Sequence, residues 1–224
     1  MYIQELTIHT VQLSEQISFY KTLLGLKIIT QNQESVSFKA GRSVLTLQLA
    51  NETTPYHFAI NIPCNKIKEA LEWAKQRVKI LPFEGSEIQD FKSWNARAFY
   101  FYDKDKNIVE LIARQKLHNE SNGKFSEQSF LEISEIGLPV DDIVPVHLQI
   151  DESTGMDIYS GDKDRFCAIG DEHGLFICIN KHKKDWLPTM EKAYSSAFEL
   201  RFSHNKKEWF MEFSSEKPYI LTLK

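Results

Sequence analysis

Glycine and proline are sparse in this chain of 224 residues, at 9 and 7, and cysteine is sparser still, at 3. That composition excludes a collagen-like repeat. Cys64, Cys167 and Cys178 are too few and too widely spaced for a disulfide framework or a CxxC metal site. Excess positive charge is missing too. Lys+Arg number 27 against 31 Asp+Glu, a formal net charge of −4. With a pI near 6.0 and no dense basic block, nucleic acid and anionic membrane lack the clustered cations they require of a partner. No window approaches the ~18 consecutive apolar residues of a membrane span. The opening Met1-Tyr2-Ile3-Gln4-Glu5 has no basic stretch leading into an apolar run, so a cytoplasmic setting is expected.

What the chain does have is 42% hydrophobic and 12% aromatic residues with 26% charged, ample for a buried core, and a length that suits one large or two small domains. Residues 3–11 alternate as a strand, with Leu6 and Ile8 on one face and Thr7, His9 and Val11 on the other. Over 13–24 the period changes. Leu13, Ile17, Tyr20 and Leu24 recur at helical steps, with Ser14 as N-cap and Gly25 as the closing residue. Short β-prone runs follow at 27–30, 35–39 and 43–49, so the unit reads β-α-β-β-β. After Asn51-Glu52-Thr53-Thr54-Pro55 the order restarts: a strand at 56–62, a helix at about 64–77, an irregular stretch, and strands at 97–102 and 107–113.

Residues 116–128 are polar and read as a linker. They divide the chain into a complete module at 1–115 and a β-rich, degenerate module at 129–224, where Glu135-Ile136-Gly137-Leu138-Pro139 can be laid on Glu5-Leu6-Thr7-Ile8-His9. The expected fold class is α+β, built from paired βαβββ modules with the second one worn.

Two histidines, His9 and His57, occupy equivalent strands of the two repeats. In the strand 56–62, Phe58, Ile60 and Ile62 form the apolar face, which turns His57 to the other side with Ala59 and Asn61. Glu110 is flanked by apolar residues, where a carboxylate is costly unless paired or bound to a cation. Two imidazoles and a carboxylate from three strands make a facial triad for iron, manganese or zinc, with positions left open for substrate. The same residues also read as hydrogen-bonded strand histidines and a Glu110 paired with lysine or arginine. The run Asp103-Lys104-Asp105-Lys106-Asn107 imitates the start of a calcium loop. It has Ile108 where the glycine belongs and Arg114 where the bidentate glutamate belongs, and reads as a hairpin turn. Trp94, Asn95 and Arg97 are placed to line a pocket mouth, with Arg97 as an anion anchor. Lys181-His182-Lys183-Lys184 reads as a solvated turn.

Four segments in register resemble the vicinal-oxygen-chelate superfamily: Leu6-Thr7-Ile8-His9, the helix end Phe19-Tyr20-Lys21-Thr22-Leu23-Leu24-Gly25-Leu26, His57-Phe58-Ala59-Ile60, and Tyr102-Asp103-Lys104-Asp105-Lys106-Asn107-Ile108-Val109-Glu110-Leu111. That superfamily includes glyoxalase I, extradiol dioxygenases, fosfomycin-modifying enzymes and metal-free bleomycin-binding proteins. The likeness covers 1–113 well and the remainder loosely. It implies metal ligands on the first, fifth and last strands of a module, here His9, His57 and Glu110, holding iron, manganese, zinc or nickel. It also implies an enzyme whose small substrate chelates that divalent ion through neighbouring oxygens. Where glyoxalase I has a fourth ligand this chain offers only Thr46 and Gln48, whereas Tyr100 matches a tyrosine of the extradiol dioxygenases. The expectation leans to dioxygenase chemistry with Tyr100 on a substrate oxygen. A glyoxalase-like lyase and a non-catalytic drug-binding protein of the bleomycin-resistance type are the alternatives. The expected partners are a small-molecule substrate and, as a second copy of the chain, a homodimer, with neither nucleic acid nor membrane.

Overall fold

The computed structural model describes residues 1–214 and 217–223; Lys224, the expected end of the second module, lies outside them. The first unit is β1 (Tyr2–Thr10), α1 (Leu13–Ile17), β2 (Lys27–Gln31), β3 (Ser35–Ala40) and β4 (Ser43–Leu49). The second is β5 (His57–Ile62), α2 (Ile67–Lys75), β6 (Ile80–Leu81), β7 (Gln89–Phe91), β8 (Ala96–Tyr102) and β9 (Ile108–Arg114). The third is β10 (Glu132–Val140), α3 (Ile143–Thr154), β11 (Ile158–Gly161), β12 (Phe166–Asp171) and β13 (Gly174–Asn180). An irregular strap, 181–197, then leads into β14 (Phe198–His204), β15 (Lys207–Ser214) and β16 (Lys217–Leu223), with no helix after β14 among the described residues.

Two helices differ from the sequence reading. α1 passes after Ile17 into a wider π-helical turn over Ser18–Leu23, closed by the Leu24 N–H on the Phe19 carbonyl at 3.0 Å. Gln12, rather than Ser14, stands at its N-cap, and the Gln12 N–H donates to Thr10 Oγ1 at 3.1 Å. The widened turn buries Phe19 and Tyr20 together, and Gly25 ends it at φ +77 as expected. α3 is an addition to a half read as β-rich. The Asp142 side chain accepts from the Val144 N–H at 3.0 Å, Ile143, Val146 and Ile150 face inward, and Gly155 closes the helix at φ +68. The third unit is therefore a full βαβββ module, and the wear is confined to the fourth.

In the seven-stranded sheet, β1 pairs parallel with β4 and antiparallel with β14, in the order β16-β15-β14-β1-β4-β3-β2. In the nine-stranded sheet, β5 pairs parallel with β9 and antiparallel with β10, in the order β11-β12-β13-β10-β5-β9-β8-β6, with β7 on β8. Each sheet thus joins strands from both sides of residues 116–128. The resemblance put all three expected ligands in the 1–115 module; the strand that flanks β5 opposite β9 is instead β10, from the third unit. One hydrophobic core takes a face of both sheets, bringing Leu6, Ile8, Phe38 and Phe202 into one cluster with Phe58, Phe99, Leu111 and Ile136. Each such side chain contributes about 1.5–3 kcal/mol by burial, which commits the alternate residues of every strand to the opposite face. Among the described residues no helix is long and apolar enough to cross a membrane.

Candidate metal centre

Because Phe58, Ile60 and Ile62 are held by the core, the other face of β5 carries His57, Ala59 and Asn61. Register then sets a glutamate on each side of Ala59: Glu110 of β9 is its partner on one flank and Glu135 of β10 on the other. Tyr100 of β8 pairs next with Glu110. Neighbouring strands lie ~4.8 Å apart, so the two glutamate backbones are ~10 Å apart. Only a side chain as small as that of Ala59 leaves them room to converge. A β-bulge between Ile133 and Glu135 turns Glu135 the right way. Ile133 and Ile136 both enter the core, while Glu132 and Glu135 share the opposite face.

His57 Nε2 stands 3.5 Å from Glu110 Oε2 and 3.9 Å from Glu135 Oε2, and one ligand atom from each residue lies within 4.8 Å of the other two. All three are buried. His57 Nδ1 is 3.2 Å from the Ile108 carbonyl, so it carries the proton and leaves the Nε2 lone pair facing the carboxylates. Burial holds the imidazole neutral, lowering its pKa to about 4. Burial likewise pushes Glu110 well above the usual carboxylate range, and the neighbouring Glu135 charge adds to it. Glu135 is raised by burial and opposed by Arg114, whose Nη2 donates to Glu135 Oε1. Arg114 is itself fully buried and donates through Nε to Asn61 Oδ1 at 3.2 Å; Asn61 Nδ2 donates to Glu132 Oε1 at 2.9 Å. Tyr100 lies opposite Glu110 in the β8–β9 pairing, and burial and the two carboxylates hold the proton on its hydroxyl.

These residues fit a divalent ion. Metal bonds of ~2.1 Å give donor-to-donor edges of ~3.0–3.4 Å, so the His57 edges, at 3.5 and 3.9 Å, are near that range and the carboxylates would draw in around the ion. Two buried carboxylates share one cationic side chain, Arg114, and a divalent ion would more than offset the remaining negative charge, letting Glu110 give up its proton. A cavity of about 270 Å³ opens on them, walled by Phe91, Trp94, Tyr100, Phe166 and Trp186, with Ser93, Ser160 and Lys184 as polar lining.

His57, Glu110 and Tyr100 come together here; His9 does not. It lies on β1 in the other sheet, where Nδ1 is 3.2 Å from the Ala197 carbonyl beside the Tyr56 hydroxyl. That hydroxyl donates to the same carbonyl at 2.6 Å, so His9 and Tyr56 pin the end of the strap. On the first strand of a unit, the acidic place in this cluster is filled by Glu135, which the sequence reading missed. With residues 135–139 laid on 5–9, Glu135 matches Glu5 and the His9 place falls on Pro139, so that register gives Glu135 no ligand role. Arg97 is exposed and borders a separate depression with Cys64 and Gln115, so it cannot anchor a ligand in the cavity. Trp94 does line it. The Asp103–Asn107 run is the β8–β9 turn. Asp103 accepts from Tyr20 and Asn107, and Asp105 accepts from Thr10, Gln12 and Gln16.

No family model matches the sequence. A metallothiol transferase FosB from Staphylococcus haemolyticus (strain JCSC1435) is 28% identical over 117 residues, 49% of this chain and 81% of the relative. Among solved structures, a glyoxalase I mutant from Zea mays matches with a TM-score of 0.59 and 12% identity, over 99% of this chain and 92% of its own. A glyoxalase/bleomycin resistance protein/dioxygenase from Nocardioides has a TM-score of 0.43 and 21% identity, covering 55% of this chain and 87% of its own. The match to the maize structure runs through both halves of the chain and shows a shared fold.

Proposed function

We propose that this chain, a member of the vicinal-oxygen-chelate superfamily by its fold, is a divalent-metal-dependent enzyme acting on a small substrate held through two neighbouring oxygens. The observation that carries the reading is the convergence of His57 Nε2, Glu110 and Glu135 at the floor of an aromatic cavity. One imidazole and two carboxylates form a hard donor set, which favours iron(II) or manganese(II) over nickel, with zinc between them. The bound ion would supply Lewis acidity for negative charge developing on the substrate oxygens.

The chain's own residues do the rest. The Ile108 carbonyl fixes the His57 tautomer. Arg114 orients Glu135. Tyr100, opposite Glu110 on the neighbouring strand, would stand beside a substrate oxygen. The walls of Phe91, Trp94, Phe166 and Trp186 exclude water, which strengthens every charge interaction inside. Ring cleavage of a catechol, as in extradiol dioxygenases, is the reaction we put first, because three protein donors and an adjacent phenol make up the set. In a glyoxalase-like lyase, Glu110 would move the proton, as the carboxylate that no arginine holds. Every donor comes from one chain, so the reading needs no homodimer.

A metal-free binding protein is the second reading, and one observation favours it: Arg114 already pairs with Glu135, so that carboxylate has a partner without an ion. Elemental analysis of untagged protein, purified anaerobically without chelator, separates the two. We expect near-stoichiometric iron or manganese in the parent and in His9→Ala, and little in His57→Ala, Glu110→Gln or Glu135→Gln. A parent without metal that folds unchanged after addition of iron, manganese or zinc refutes the enzyme reading.

A further inference from the structure

The strap 181–197 crosses the open side of the cavity and is tied down on both flanks. Glu191 accepts from the Tyr102 hydroxyl at 2.6 Å, Ser196 Oγ donates to the Thr54 carbonyl at 2.9 Å, and the Ala197 carbonyl is held by Tyr56. It brings into the cavity wall two side chains, Trp186 and Lys184, whose polar groups have no hydrogen-bond or ion-pair partner among the described residues. Trp186 is 6% exposed and its ring centroid is 4.8 Å from that of His57. The indole has this place because residue 137 is glycine: a Cβ there would stand 2.7 Å from the ring. The Trp186 Nε1–H is buried and has no acceptor among the described residues. A buried donor without an acceptor is costly, and a ligand oxygen in the cavity would satisfy it. Lys184 lies over the Phe166 ring at 5.6 Å, lines the same cavity, and makes no ion pair among the described residues.

We propose that the strap is the substrate-recognition element of this site, with Lys184 receiving an anionic group and the Trp186 indole N–H an oxygen acceptor, so that the ligand is a single-ring aromatic carboxylate. The assignment rests on the metal-dependent reading for the ligand's chelating oxygens; the anion subsite stands on the strap alone. Charge supports it. Glu110 and Glu135 (−2) set against Arg114 (+1) and a divalent ion (+2) leave a net charge of +1, and Lys184 in the cavity wall adds to it, so the loaded site favours an anionic ligand. Size supports it as well, because a cavity of about 270 Å³ lies at the small end of ligand pockets and has room for one ring between Trp94, Phe166 and Trp186.

The test is calorimetric titration of manganese-loaded and metal-free protein with two probes that share vicinal hydroxyls, catechol and 2,3-dihydroxybenzoate. In the loaded parent we expect the carboxylate-bearing probe to bind about tenfold tighter, a fair return for one partly desolvated ion pair. Lys184→Met should bring that ratio to within about twofold. Trp186→Phe should weaken both probes together by about fivefold. Manganese affinity should be unchanged in both variants. The metal-free protein should bind both probes more weakly and keep the ratio. Equal affinity of the two probes for the parent, a ratio that survives Lys184→Met, or no binding of either probe overturns the proposal. A parent that binds no manganese yet keeps the ratio overturns the metal reading alone, and a parent that binds manganese without a ratio overturns only the strap.

Discussion

Replacing Arg114 by methionine isolates the electrostatics of the centre. Arg114 is fully buried, its Nη2 is on Glu135, and it is the only arginine or lysine in ion-pair reach of the two carboxylates among the described residues. Breaking a buried pair from one side costs about 3–5 kcal/mol when the orphaned charge cannot escape. Here Glu135 can escape by taking a proton. From an ordinary value of 4.5, protonation at about pH 7 costs about 3.4 kcal/mol, at ~1.36 kcal/mol per unit, and at about pH 5.5 only about 1.4. The sign follows from the direction of the shift. Without Arg114 the folded-state pKa of Glu135 rises further above its unfolded value, so the penalty is largest at high pH and fades as pH falls towards the ordinary carboxylate range. Urea unfolding of Arg114→Met in chelator should therefore show a loss of about 3 kcal/mol at neutral pH that shrinks by about 2 kcal/mol at about pH 5.5. Manganese at about a thousand times its Kd should restore about 4 kcal/mol, since an ion bound only by the folded state stabilises it by mass action. A loss that does not change with pH would mean that Arg114 acts through packing, and a loss that manganese leaves untouched would refute the shared charge balance.

Two further outcomes follow from the same structure. Burial and Glu135 hold a proton on Glu110 above the usual carboxylate range, so ion binding must expel it. Manganese affinity should climb as pH rises above the ordinary carboxylate range, with proton release visible by calorimetry in buffers of different ionisation enthalpy, and a pH-independent affinity would contradict this. Tyr20→Phe removes the hydroxyl that donates to Asp103 at 2.7 Å in the buried β8–β9 turn. It should cost about 1.5–3 kcal/mol in urea unfolding, and a loss under about 0.5 kcal/mol would show that Asp103 is satisfied without it.

The local part of the site was legible in the sequence, and the part decided by strand pairing was not. Alternation in Tyr56–Ile62 is enough to turn His57 away from the core, because Phe58, Ile60 and Ile62 must go inward. A glutamate between Val109 and Leu111 is enough to mark Glu110 as a residue in need of a partner. The first inference uses a period of two within one strand and gave the correct face; the second uses only the apolar neighbours of one residue and marks it as buried. Glu135 could not be found that way, since the bulge after Ile133 inserts a residue, breaks the period, and aligns Glu135 rather than Ser134 with Ala59. The misplaced His9 has a deeper cause. It sits on a first strand, in a unit built like the one that carries His57, but ligand geometry depends on which first strand lies beside β5. That neighbour is β10. β1 instead pairs with β14, and in place of a donor set its outer face meets Thr46 Oγ1 on Glu5 at 3.0 Å and Arg201 Nε at 3.7 Å from the same carboxylate. Repeats of one unit are alike in their local pattern, so sequence cannot say which copy will be whose partner. The choice is made by long-range contacts: Phe58, Ile60, Ile133 and Ile136 closing one core, and the strap ending at Ala197 where β14 begins beside β1. His9 helps to hold that end in place, which makes it a residue of the architecture that brings Lys184 and Trp186 over the cavity.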